Sequence, residues 1–128
     1  MKRILVVDDD PNSRKIVELM LMSHGYSLLF AENGLHAVEV ALHERPDLIL
    51  MDMLMPIMNG HEATRRIKEH PNGSEIPVVA LTALAFESDR REALQAGCNG
   101  YLSKPFNRRE LVETVKTFLP DPQRHALA

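Results

Sequence analysis

Four stretches of this chain that read as strands run into residues able to act on one another. Ile4–Val7 leads into Asp8-Asp9-Asp10, Leu48–Met51 into Asp52, Pro77–Leu81 into Thr82, and Gly100–Ser103 into Lys104. Neighbouring strands lie about 4.8 Å apart, so side chains at adjacent strand ends can touch. Carboxylates gathered in that space repel one another and raise each other's pKa unless a cation joins them. A donor set of hard oxygens without His or Cys points to Mg²⁺, which keeps several waters and accepts only one or two carboxylates. Such an ion beside a further carboxylate, an ammonium and a hydroxyl is equipped for phosphoryl transfer onto the carboxylate. Asp52 is then the nucleophile, and an acyl phosphate is the product. Its added charge of roughly −1.5 to −2 requires the Lys104 ammonium and the Thr82 hydroxyl nearby. Singly, Asp52 or Thr82 reads as a helix cap and Lys104 as a solvated surface group. Their joint placement, each at a strand end, carries the reading.

The elements that must position these residues are legible as an alternation. After Ile4–Val7, Pro11 opens a helix with Asp10 as its N-cap. Ile16, Val17, Met20 and Leu21 recur there at helical spacing, and Gly25 supplies the stop. Tyr26–Ala31 is a second strand, and the helix after Asn33-Gly34 carries Val38, Ala41 and Leu42 inward until Pro46. The apolar run before Asp52 reads as a strand buried on both faces. A helix over His61–His70 follows, with Ala63 and Ile67 inward, then a loop at Pro71–Ser74. Pro77–Leu81 is the fourth strand, ending at Thr82, and a helix carrying Ala93 and Leu94 leads to Gly97. After the fifth strand, Leu111, Val112, Val115, Phe118 and Leu119 stripe a last helix ending before Pro120. Five strand–helix units argue for an α/β domain with a parallel sheet and helices on both faces. The Asn-Gly pairs at 33–34, 59–60, 72–73 and 99–100 lack alternating flanks and read as strand–helix turns rather than hairpins.

Composition narrows the classes. At 128 residues, residues 1–120 form one domain and 121–128 a short polar tail. A net charge of −3 creates no basic field, so nucleic acid is not an expected direct partner. The single cysteine, Cys98, allows no internal disulfide and sits in a small-residue setting that reads as buried. No apolar run approaches the ~18 residues of a membrane span. The segment after Met1-Lys2-Arg3 ends too soon to be a signal peptide, so a cytoplasmic location is expected. The histidines form no metal pattern, and neither G-x-x-x-x-G-K nor G-x-G-x-x-G occurs.

Four motifs in order carry a resemblance: Val7-Asp8-Asp9, Met51-Asp52-Met53-Leu54-Met55-Pro56 with Asn59-Gly60, Leu81-Thr82-Ala83, and Leu102-Ser103-Lys104-Pro105-Phe106. Over residues 2 to 119 the chain resembles the CheY-like receiver domains of two-component response regulators. The resemblance implies a flavodoxin-like doubly wound (βα)5 three-layer sandwich with strand order 2-1-3-4-5. It makes Asp52 the phosphoacceptor. For Mg²⁺ it implies Asp9 as a direct ligand, Asp8 through water, and Asp52 with the backbone carbonyl of Leu54. Thr82 and Lys104 would bind the phosphoryl oxygens, and the Lys104–Pro105 peptide would be cis.

The resemblance also implies a switch. Thr82 moves toward the phosphoryl group, Tyr101 changes rotamer, and a surface of the fourth helix, fifth strand and fifth helix responds. Phe86, Arg90, Arg91, Arg108 and Arg109 are expected near that surface. Leu54 and Leu84, at the positions that tune hydrolysis, are apolar and cannot orient an attacking water, so a long-lived phosphoprotein is expected. The donor would be a phosphohistidine on a histidine kinase or histidine phosphotransfer domain, and the target a downstream protein. No membrane contact is implied, and the chain would be a monomer or a weak phosphorylation-dependent dimer. It would be a signalling phosphoacceptor rather than an enzyme. The expected form is a stand-alone regulator; the alternative is a receiver excised from a hybrid histidine kinase. An aspartyl-phosphate phosphohydrolase is disfavoured, because Asp52 is followed by Met53-Leu54 rather than x-Asp.

Overall fold

The computed structural model describes residues 1–83 and 86–120. Strand and helix alternate along them: β1 (Arg3–Val7), α1 (Pro11–Leu21), a 3₁₀ turn at Met22–His24, β2 (Ser27–Ala31), α2 (Gly34–Glu44), β3 (Leu48–Asp52), α3 (Gly60–Glu69), β4 (Val78–Thr82), α4 (Glu87–Ala96), β5 (Gly100–Ser103) and α5 (Arg108–Phe118). The strands form one sheet in the order β2-β1-β3-β4-β5, every pairing parallel. This is the doubly wound order expected of a flavodoxin-like fold.

Local chemistry sets the boundaries. Four helices start on an Asp or Asn whose side chain accepts a first-turn backbone N–H: Asp10, Asn33, Asn59 and Asn107. The fifth, α4, starts at Phe86, whose own N–H is held by Asp89 Oδ2 at 3.1 Å. Gly25 and Gly97 adopt φ of 80° and 113°, a left-handed geometry that ends a helix cheaply only in glycine. Two Asn-Gly pairs, 33–34 and 59–60, are strand-to-helix turns. The other two correct the sequence reading, since Asn72-Gly73 lies between α3 and β4 and Asn99-Gly100 leads from α4 into β5, of which Gly100 is the first residue. Asn99 Oδ1 accepts from the Val78 N–H at 3.0 Å and from Lys68 Nζ at 2.8 Å, which ties the start of β4 to α3.

Strand alternation then sorts the core into two halves. Ile4, Val6, Leu48, Leu50, Val79 and Leu81 face α1 and α5, meeting Val17, Leu21, Leu111 and Val115. Leu5, Val7, Ile49, Met51, Val78 and Ala80 face the other helices, meeting Ala37, Ala41, Ala63, Ile67 and Ala93. All five residues of β3, the central strand, are buried. Cys98 is buried too, with its Sγ 3.8 Å from Thr64 Oγ1, and burial pushes the thiol pKa up. One member of the expected α1 stripe departs from it: Ile16 is 52% exposed. Val17 and Leu21 fill the inner line of that helix, and Ile16 faces sideways into a groove beside the strand ends.

Candidate functional site

The carboxyl ends of β1, β3 and β4 and the segment after β5 converge on one polar patch. Asp52 is the last residue of β3 and lies beside Leu81 of β4; Thr82, next along β4, pairs with Ser103. The backbone N–H of Lys104 donates to the Thr82 carbonyl at 2.9 Å, continuing the ladder one residue past β5. Lys104 Nζ then reaches back across the sheet. It lies 3.0 Å from Asp8 Oδ2 and 3.7 Å from Asp52 Oδ2. Asp8, Asp52 and Thr82 are the buried polar residues at this end, and Asp9 is exposed.

Asp8, Asp9 and Asp52 each present an oxygen, and these atoms all lie within 4.8 Å of one another. Among the described residues this is the one cluster of potential ligands so tight. It is composed entirely of carboxylates, the donor type of a hard cation. Burial pushes Asp52 above its ordinary carboxyl pKa, and the charges of Asp8 and Asp9 add to that push. The Leu54 N–H, 3.1 Å from Asp52 Oδ1, and the Lys104 ammonium pull the other way without cancelling it. Burial pulls Lys104 down, but its hydrogen bond to Asp8 and the attraction of Asp52 outweigh that, and the ammonium is held above its ordinary value. The site is therefore a set of acids in excess, held together in part by one lysine.

The loop after Asp52 is built to stay in place. The Met58 N–H donates to the Pro56 carbonyl at 2.7 Å, closing a γ-turn with Ile57 at φ 70°. A β-branched residue in that region stores backbone strain, which persists only where the surroundings impose it. Two glycines let neighbouring backbone pack closely against this loop. A Cβ on Gly34 would lie 2.2 Å from the Met58 carbonyl oxygen, and one on Gly60 would lie 2.4 Å from that of Asp52. Their N–H groups donate instead, to Met58 at 3.0 Å and to Met53 at 3.1 Å. Gly60 belongs to the sequence motif around Asp52, whereas the contact of Gly34 with this loop has no sequence signal, because β2–α2 and β3–α3 meet only in three dimensions.

The other sequence-marked residues fall as follows. Leu54 is 55% exposed beside Asp52. The Lys104–Pro105 peptide is cis. Tyr101, half-buried, pairs with Ala80 and packs on the same sheet face as the α4 residue Ala93. Burial and the nearby Asp89 carboxylate push its phenol pKa up. Phe86 stands 78% exposed at the start of α4. Arg108 turns toward α1, its Nη2 3.4 Å from the Leu19 carbonyl, and Arg109 pairs with Glu113 along α5. Leu84 lies outside the described residues, as does the 121–128 tail. Beside the site, a cavity of about 360 Å³ is lined by Ile16, Met20, Ala83, Lys104, Pro105 and Phe106, among others.

Comparison with known proteins gives a consistent set of matches. A family profile described as the response regulator receiver domain matches residues 4–116. The polar-differentiation response regulator DivK of Brucella anthropi is 37% identical over 120 residues, which is 94% of this chain and 98% of that protein. Protein PilH of Pseudomonas aeruginosa is 40% identical over 119 residues, 93% of this chain and 98% of that protein. Among solved structures, the receiver domain of the Pseudomonas aeruginosa sensor histidine kinase PA1611 superposes with a TM-score of 0.87 at 42% identity. The match covers 94% of this chain and 98% of that one, whose crystal structure holds a magnesium ion in the active-site cleft.

Proposed function

Because the chain belongs to the response regulator receiver domain family of two-component systems, we propose that Asp52 is its phosphoacceptor and that the acid cluster holds Mg²⁺. The observation that carries this reading is a lysine ammonium within 4 Å of two carboxylates, Asp8 just past β1 and Asp52 at the end of the central strand, in a cluster of three. Asp8, Asp9, Asp52 and the Leu54 carbonyl would hold the ion, which when bound neutralises the charge on the transferring phosphoryl oxygens. The ionised Asp52 carboxylate attacks phosphorus in line, the P–N bond of the donor phosphohistidine breaks, and its electron pair stays on the imidazole. Lys104 takes up part of the charge that arrives, moving its attention from Asp8 toward the new phosphoryl group. Thr82 supplies a hydroxyl from the neighbouring strand. The apolar groove beside Lys104 gives the donor domain a surface to cover while its phosphohistidine reaches Asp52.

Acetyl phosphate with Mg²⁺ tests the chemistry without a partner. Intact mass spectrometry should show wild-type protein gaining one phosphoryl group, and EDTA should prevent it. Protein remaining at its starting mass at saturating donor would overturn the reading.

The switch extends the same proposal. By strand alternation Thr82 and Tyr101 share the sheet face that α4 covers, so a hydroxyl drawn toward the phosphoryl group opens space on the side of the tyrosine ring. The surface that responds is α4, β5 and α5, where Phe86 is already exposed. Beryllofluoride with Mg²⁺ mimics the acyl phosphate, and amide resonances from Thr82 through Tyr101 should shift. Unchanged spectra at saturation would reject the switch.

A stand-alone regulator acting by protein contact in the cytoplasm is the favoured context, supported by similarity to DivK and PilH along nearly their whole lengths. Among the described residues no helix is long and apolar enough to cross a membrane. Similarity to the PA1611 receiver keeps a hybrid-kinase origin as the second reading.

A further inference from the structure

Arg14 lies outside the set that the sequence marks as reactive, yet its Nη1 donates to the backbone carbonyl of Asp8 at 2.6 Å. It sits in the first turn of α1, a helix whose start is fixed by Pro11 and the Asp10 cap. That start directs the fourth helical residue back over the end of β1. Asp8 is the first residue beyond the β1 register, where the sheet still gives its N–H a partner, Ala31 O at 3.2 Å. Its carboxylate is held on both oxygens, Oδ1 by the Asp10 N–H at 2.9 Å and Oδ2 by Lys104 at 3.0 Å. Arg14 supplies the remaining constraint, on the carbonyl.

That carbonyl belongs to the peptide joining Asp8 to Asp9. The peptide is planar, so fixing its oxygen fixes the plane, and with it the departure of the chain toward Asp9. Asp9 is exposed and has little packing of its own to orient it. The charge of Arg14 makes the arrangement informative. A guanidinium beside three acids opposes the arrival of another cation by ordinary repulsion. Were it a counter-ion to the cluster, it would reach a carboxylate oxygen; it reaches a carbonyl instead.

We infer that Arg14 is a positioning residue for the metal site, holding the Asp8–Asp9 peptide so that both carboxylates face Asp52. The inference rests on the reading of the cluster as a Mg²⁺ site. Groups that orient metal ligands are worth roughly 10- to 100-fold in affinity.

Calorimetric titration of Mg²⁺ into the full chain separates geometry from charge. Arg14→Met removes both the donor and the repulsive charge, so positioning and repulsion predict opposite signs. The expected result is Mg²⁺ binding weakened about tenfold in Arg14→Met, largely recovered in Arg14→Lys, which can donate to the same carbonyl. Melting temperatures in EDTA should match wild type in both variants. Equal or tighter binding by Arg14→Met would overturn the inference, as would weaker binding accompanied by a lower melting temperature and no recovery in Arg14→Lys. Absence of binding by wild type would refute the metal reading itself, and the inference with it.

Discussion

Asp52→Asn protein is expected to stay at its unmodified mass under conditions that phosphorylate wild type to completion, and to be more stable than wild type at neutral pH. The first half follows from the chemistry. An amide oxygen is a poor nucleophile, and no other carboxylate in the cluster is placed like Asp52, at the end of the buried central strand with Lys104 facing it. The second half follows from burial. The Asp52 carboxyl pKa lies above its ordinary value near 3.8 because ionising it in the protein means giving up water. A raised acid pKa places the folding penalty above the titration, where the group is charged, and removes it below, where folded and unfolded chains both hold the proton. Asparagine keeps an oxygen for the Leu54 N–H and carries no charge at any pH. Its advantage should be about 1 kcal/mol at neutral pH, the scale of an incompletely compensated buried polar group, and should fade as pH falls below the ordinary carboxyl range. Urea denaturation at the two pH values checks it. A variant less stable than wild type at pH 7 would show that the Lys104 attraction outweighs desolvation. The same titration predicts that the rate of phosphorylation of wild type rises with pH through the Asp52 transition, because only the ionised form attacks.

Lys104→Met should slow phosphorylation by acetyl phosphate by roughly 10²-fold or more, the usual cost of losing one donor aimed at developing charge. In the same protein Mg²⁺ should bind more tightly than to wild type. Both effects come from one geometry. Lys104 sits 3.0 Å from Asp8 and 3.7 Å from Asp52, so in the resting state it neutralises the acids that the ion would neutralise. Removing it leaves the cluster more negative and the transferred phosphoryl group without its ammonium. Calorimetry and stopped-flow mass analysis read the two separately. Unchanged or weakened Mg²⁺ binding in the slowed variant would contradict the competition between lysine and metal. The Arg14 variants share the acid cluster with this experiment but test a different atom, a backbone carbonyl rather than a carboxylate.

The sequence by itself was sufficient for the element order and for which polar side chains meet at the strand ends. Ile4–Val7 and Leu48–Met51 are apolar without interruption, and only a strand covered on both faces makes such runs stable in a domain this size. Strands alternating with helices leave parallel pairing as the economical arrangement, and parallel pairing gathers Asp8, Asp52, Thr82 and Lys104 at one edge of the sheet. The start of α1 was legible for a similar reason: Asp10 acts on the Asn12 N–H two residues away, so its effect is contained in the local string, and the structure adds the same capping by Asn33, Asn59 and Asn107.

What the string could not contain were relations between distant segments. Ile16 fits the α1 stripe by spacing, but the width of that stripe is decided by what packs on it, and Val17 and Leu21 proved enough. Arg108 was expected near the surface of α4, β5 and α5, and it opens α5; that its side chain turns to the Leu19 carbonyl of α1 depends on how α5 packs. Gly34 and Arg14 act on backbone carbonyls at Met58 and Asp8, and a carbonyl has no residue type to read. The division of Lys104 between Asp8 and Asp52 is likewise a matter of tenths of an ångström set by the sheet register. Residue identity determined which groups meet, since that depends on fold class and strand ends. Tertiary structure alone decided which of them hold one another at rest, because that is settled by short-range distances that no sequence pattern encodes.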